Sequence, residues 1–354
     1  MNEDRSSRYH RLQRRASVAA AALAGAFLLV FLVSGASAAL RDAAASWSGG
    51  SFAATLLIYS TVLFLAHAAL ELPLAVYSGL TLERRYGLSA QTTGGWWRDH
   101  VKAGAVALVF SSGAALVVYA LIRWRPDTWW LIAALAFAAI IVVLAQLAPV
   151  VLLPLFYELK PLDRPALAER LVSLAERAGA RVLGVFEWRL SSRTRRANAA
   201  LAGLGPTRRI LLSDTLLAEY SDDEVEVILA HELAHHVYRD IWTAIALESA
   251  LVVLGFFLAD RALEIWSSSF GLQGKGDIAG LPLLALAGGA VSIALRPAAN
   301  ALSRAHERRA DRYALEMTRN AGAFIRAMRR LSAQNLAEER PSRLVEVLFH
   351  THPP

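Results

Sequence analysis

Four stretches of the chain, residues 16–40, 52–70, 103–122 and 128–156, contain no Asp, Glu, Lys or Arg. At 1.5 Å per helical residue, each is long enough to cross the roughly 30 Å hydrocarbon layer of a bilayer. Inside lipid, backbone polar groups must find partners within the segment, so uncharged runs of this length are helical. The second run continues past Glu71 to about Leu82, and two further candidates follow, Ile241–Ala259 (interrupted by Glu248) and Ile278–Leu295. The pattern predicts about six transmembrane helices. Composition agrees: hydrophobic residues make up 55% and charged residues 19%, against roughly a quarter charged in soluble domains. The first run follows a basic N-terminus but is too long for a secretory h-region of about 7–15 residues. It reads as an anchor.

The formal net charge is +7, and its distribution records topology. Arg5, Arg8, Arg11, Arg14 and Arg15 precede the first span, and Arg84, Arg85, Arg98 and Lys102 lie between the second and third. Segment 157–240 and the residues after Leu295 hold most of the rest. The alternate loops carry only Arg41, Arg123, Arg125, Arg261 and Lys275. Threading the spans with the N-terminus inside puts every basic-rich segment on the cytoplasmic side, as the positive-inside rule requires. No recognition motif supports a nucleic-acid partner. The chain has no cysteine, which excludes disulfides, thiolate catalysis and Cys-ligated metal.

The spans divide the chain into an N-terminal membrane block (1–156), a cytosolic domain (157–240), two further spans (241–295) and a cytosolic tail (296–354). Leu162–Gly179 has helical spacing, with Asp163 as N-cap and Gly179 as stop. Arg181–Leu190 reads as a strand, and 198–204 with 209–213 as a hairpin about Gly205-Pro206-Thr207. Ser221-Asp222-Asp223-Glu224 is a capping box, with acidic residues suited to the positive end of the helix dipole. The apolar run Val225, Val227, Ile228 and Leu229 marks the helix it opens as buried.

That helix reads His231-Glu232-Leu233-Ala234-His235. Residues four apart share a helical face, so both imidazoles can reach one ion while Glu232 stands beside it. Zinc accepts imidazole and oxygen ligands, and a catalytic site keeps one position for water. The metal acidifies the water, Glu232 accepts its proton, and the water attacks a peptide carbonyl. A buried Glu beside two His on an apolar helix is costly without such a use. His236 points about 100° away and is not expected to ligate. A third ligand is needed, and Ser303–Asp311 offers Glu307 and Asp311 on one face, with His306 as competitor. One acid can bind the metal while the other accepts the N–H of a liganding imidazole.

HELAH, two spans and then SRAHERRAD resemble the integral-membrane gluzincins of the type I CAAX prenyl protease family. Leu72-Pro73, Tyr77, Leu82–Gly87 and Gln91-Thr92 are similar to its LPxxxY…EExxGF…QT stretch. Ala148-Pro149, Pro154-Leu155-Phe156 and Lys160-Pro161-Leu162 are similar to the exit from its membrane block. Arg196-Ala197-Asn198-Ala199 resembles its substrate-edge strand, and His350–Pro354 its "SHPP". The resemblance implies a mainly α polytopic membrane protein with a zincin-like α+β cytosolic catalytic domain carrying a small β-sheet. It implies one zinc ion on His231, His235 and Glu307, Asp311 ordering a ligand, and Glu232 as base. It further implies that Asn198 and Ala199 pair with the substrate backbone, that His352 donates to the oxyanion, and that His67, Glu71 and Glu248 line an intramembrane chamber. Three features depart from the family. Six spans are counted where its eukaryotic members have seven, Ala197 replaces a serine, and the sequence stops at Pro354 where the family continues into another helix.

The expected function is metal-dependent hydrolysis of membrane-associated or lipidated peptides. The Ala- and Arg-rich composition points to a bacterial inner membrane. The alternatives are a quality-control protease of the heat-shock-induced membrane type and, outside enzymes, a transporter or binding scaffold with a vestigial metal site. The intact glutamate base argues against the last.

Overall fold

The computed structural model describes residues 4–147, 157–203, 208–338 and 340–353. Five of its helices are long and apolar enough to cross a membrane. The first, α1 (Arg5–Val33), begins well before the uncharged run, so the basic N-terminal residues are helical too. It does not reach residue 40 as the hydropathy suggests. Gly35, at φ 75°, turns the chain into a separate helix, α2 (Ala36–Trp47). Next is α3 (Phe52–Val76), which contains Pro73 and runs through a π-helical turn, Tyr77–Leu82, to Arg85. A proline inside a helix forfeits one backbone hydrogen bond, and the wider turn absorbs the misfit. Then come α4 (Thr93–Trp124) and α5 (Trp129–Leu147). α5 is the start of the expected 128–156 span, whose remainder lies outside the described residues, as does the 148–156 motif.

The segment after the membrane block forms a four-stranded sheet in the order β1-β2-β4-β3. Its strands are β1 (Leu159–Pro161), β2 (Val185–Trp188), β3 (Ala199–Ala202) and β4 (Arg209–Ser213). β1 is antiparallel to β2, β2 parallel to β4, and β4 antiparallel to β3. The expected strand 181–190 is thus four residues long. The hairpin forms in the predicted place, with its turn at 205–207 outside the described residues.

The connecting helix α6 (Pro165–Arg177) starts with Pro165, whose fixed φ suits a first helical position. Arg164 rather than Asp163 occupies its cap, and no side chain bonds there. Helices α7 (Asp214–Glu219) and α8 (Asp222–Val237) follow the sheet. Leu167, Leu171 and Leu174 of α6, Ile210 and Leu212 of β4, and Val225, Leu229 and Leu233 of α8 form one buried core. Each of these eight side chains contributes about 1.5–3 kcal/mol toward holding the domain together.

Only Tyr238 and Arg239 separate α8 from the membrane helix α9 (Asp240–Trp266). Arg239 makes that turn in the left-handed region, at φ 58°. The last spanning helix, α10 (Leu281–Thr318), is continuous for 38 residues and carries the SRAHERRAD stretch on its far half. It is followed by α11 (Ala321–Gln334) and α12 (Arg343–Phe349).

Among the membrane helices Leu56, Tyr59, Tyr119, Ile122, Trp129 and Leu263 form a second core. At the end away from the sheet, buried Asp260 accepts from Trp129 Nε1 at 2.7 Å and Lys275 Nζ at 2.9 Å, and Asp277 pairs with Arg41. Outward faces remain apolar, as at Val109 and Ile293, which suits contact with lipid. A cavity of about 870 Å3 lies among α3, α4, α9 and α10. His67 and Glu248 line it, as expected, together with Phe64, Phe256 and Arg296. Glu71 is not among the lining residues. It faces His67 at 3.6 Å instead.

Candidate active site

The site is built where α8 and α10 pack together. Ser221 caps α8: its Oγ accepts from Glu224 N, while Glu224 Oε2 accepts from Ser221 N at 2.9 Å. This closes two orphan donors of the first turn and fixes where the helix begins. From there the His231/His235 spacing places both rings toward α10, their centroids 5.2 Å apart. α10 answers with Glu307, which is 8% exposed. His231 Nε2 lies 3.2 Å from Glu307 Oε2, and His235 Nε2 lies 3.6 Å from Oε1. One ligand atom from each residue lies within 4.8 Å of both others.

A tetrahedral ion with bonds near 2.0–2.1 Å sets its ligand atoms about 3.3 Å apart. The observed separations fit, and two imidazoles with a carboxylate form a donor set for a divalent metal.

The other imidazole nitrogens are also held. His231 Nδ1 donates to Asp311 Oδ1 at 2.9 Å, and His235 Nδ1 donates to Asp240 Oδ2 at 2.9 Å. These bonds turn both Nε2 atoms toward Glu307 and make the rings better donors. Burial opposes charge on His231, yet Asp311 and Glu307 carry its pKa to about 10. Surroundings this acidic favour a cation. Burial pushes Glu232 upward from the ordinary carboxyl value, toward the range where a carboxylate is an effective general base.

His306 is turned aside. Its Nε2 lies 3.1 Å from Thr243 Oγ1 and 3.8 Å from Asp240 Oδ1, outside the His–His–Glu group. His236 faces Arg208, at 3.5 Å, rather than the site.

β3 is an edge of the sheet among the described residues and packs against α8. Exposed Asn198 immediately precedes it. Asn198 N donates to Ser213 Oγ and its carbonyl accepts from Ser213 N, both at 2.9 Å. Antiparallel alternation then turns the N–H and C=O of Ala199 outward, to the open edge. His352 reaches the centre from the opposite side, its Nδ1 2.8 Å from Glu307 Oε2. That bond raises its pKa above the usual imidazole value.

The sequence reasoning did not single out Asp240. It is 5% exposed, bonds His235, and is paired with Arg309 of α10. The available signal was a charged residue at the first position of a membrane helix, five residues after His235. Such a residue needs a buried partner.

Residues 161–354 match the family model "Peptidase family M48", and residues 2–158 match "CAAX prenyl protease N-terminal, five membrane helices". A Bacillus subtilis (strain 168) protein, "Uncharacterized metalloprotease YhfN", is 32% identical over 296 residues, 82% of this chain and 69% of that one. The "CAAX prenyl protease 1 homolog" of Oryza sativa subsp. japonica is 26% identical over 319 residues, covering 84% and 72%. The crystal structure of S. mikatae Ste24p superposes with a TM-score of 0.87 over 98% of this chain and 86% of that one, at 23% identity, and so shares the fold. The chain therefore belongs to peptidase family M48, and is an integral-membrane metalloprotease that acts on peptide or protein substrates.

Proposed function

We propose that the protein binds one zinc ion through His231, His235 and Glu307 and cleaves membrane-associated, prenylated (CAAX-type) peptides at the cytoplasmic face of a bacterial inner membrane. The observation that carries this reading is the convergence of two imidazoles and a carboxylate at tetrahedral ligand spacing beside Glu232. Zinc, when bound there, lowers the pKa of a water and polarises the scissile carbonyl.

The chain's own groups do the rest. Ala199 offers outward N–H and C=O groups to an extended peptide, and Asn198 flanks it, so the substrate adds to the sheet edge whatever its side chains. Glu232 accepts the proton of the attacking water and delivers it to the leaving amine. The imidazole of His352 donates to the oxyanion as charge develops, a contribution worth about 3–4 kcal/mol in comparable sites. Asp311 and Asp240 keep the two metal-facing rings in one tautomer.

Several relatives are named for prenylated CAAX substrates, and the cavity suits such a ligand. It is lined mostly by apolar side chains, and it reaches Arg296 and Asn300 on the helix that carries Glu307. An isoprenoid chain would be stabilised by roughly 25 cal/mol per Å2 of apolar area withdrawn from water. The basic-rich segments share one side of the membrane, which supports the cytoplasmic orientation.

The test is zinc content and chelator-sensitive cleavage of a farnesylated peptide, its unprenylated counterpart and casein. One zinc per chain and preference for the farnesylated peptide are expected. Equal turnover of casein would assign the protein to general quality control. Glu232→Gln should keep zinc and lose hydrolysis, and a Gln variant that cleaves normally would overturn the mechanism.

A further inference from the structure

Asn300, Arg304, Glu307 and Asp311 lie at successive intervals of four, three and four residues, and so form one stripe along α10. The last two face the histidines. The first two are also buried, at 4% and 7% exposure, but they face a different element. A nearly buried guanidinium needs acceptors, because desolvating a charge without partners is prohibitive. Arg304 finds them in main-chain carbonyls: its Nη1 donates to Glu346 O at 2.9 Å and His350 O at 2.7 Å. Asn300 Nδ2 donates to Leu348 O at 2.8 Å. Three carbonyls at and just beyond the last turn of α12, those of Glu346, Leu348 and His350, are thus bonded from outside by α10.

The chain then runs two residues from His350 to His352, whose ring bonds Glu307. The stripe that provides Glu307 also fixes the backbone that brings His352 to it. A second tie acts at the same point. His350 Nε2 lies 3.2 Å from buried Glu338, which also pairs with Arg14 at the cytosolic end of α1.

We propose that Arg304 is a positioning residue for catalysis, holding the 346–350 main chain so that the His352 imidazole stands over the scissile carbonyl. This rests on the oxyanion role given to His352 above. A planar guanidinium can bridge two carbonyls at once, and this fixes direction as well as distance.

The experiment is a double-mutant cycle on the full-length, zinc-loaded protein in detergent, with kcat, KM and metal content as readouts. Arg304→Met, which keeps bulk and removes the donors, should lower kcat by about tenfold or more, and by no more than the 10²–10³-fold that losing an oxyanion donor costs. KM and zinc content should hold. In a His352→Ala background the same change should have no further effect on kcat, because the group it positions is gone. Arg304→Lys, with one donor direction retained, should recover part of the rate.

Losses that multiply across the cycle, or zinc lost with Arg304, would overturn the proposal in favour of a plain helix-capping role. If His352→Ala alone leaves kcat unchanged, the oxyanion assignment itself fails, and this outcome is separate from the first. Should the Met variant not fold, Arg304→Lys carries the same cycle with the same criteria.

Discussion

Helices α8 and α10 meet at the same site but are held in opposite ways. α8 is short, begins at a reciprocal cap, and has its apolar face in the core of the small domain. α10 is 38 residues long, crosses the membrane, and changes character along its length from Leu283 and Val291 to Asn300, Arg304 and Glu307. Folding the small domain fixes the histidines. The carboxylate that completes their set comes from α10, which leaves the membrane and near its end places Ala314 in that same core. The candidate metal-binding group therefore joins a helix of the small domain to one that also spans the membrane, and substitutions on the two helices should differ in what they disturb.

The largest expected effect is on the α10 side. Glu307→Ala should lose zinc and activity together, measured by metal analysis and peptide cleavage, while His306→Ala should retain zinc. A variant lacking His306 but free of metal would reverse the assignment. Next come the two acids that hold the rings. Asp311→Ala and Asp240→Ala should each weaken metal affinity by roughly 10–100-fold in chelator competition. The two should combine multiplicatively, since they serve different histidines. The smallest effect belongs to α8. Ser221→Ala removes one cap bond and should lower stability by about 0.5–2 kcal/mol in thermal or denaturant unfolding, leaving metal stoichiometry unchanged. A change in stoichiometry would mean that the cap shapes the site and not only the helix.

The contrast also explains what could be read from the sequence. His231, Glu232 and His235 were legible because their relation is local: a four-residue spacing on a helix whose start is marked by Ser221 and Glu224. The spans were legible because lipid excludes charge over whole segments. Choosing Glu307 over His306 without a family resemblance was harder, since both sit on one exposed-looking charged helix and only the packing of α10 on α8 separates them. Asp240 carried no local signal beyond its charge, and its partner Arg309 is 69 residues away. The three-residue strand β1 is too short for any period to register. The break after α1 depends on Gly35 taking a left-handed conformation, which hydropathy does not record.

The two-residue turn at Tyr238 and Arg239 acts as a ruler. His235 stands five residues before Asp240, less than about 10 Å of helix rise from the start of the membrane helix α9. With so little chain between them, the proposed mechanism would hold the scissile bond at a set height above the bilayer. An extended peptide advances about 3.3–3.6 Å per residue. If the proposed membrane-anchored peptide is the substrate, only bonds within the first few residues of its anchor would reach the site, and lengthening the turn should move the point of cleavage outward.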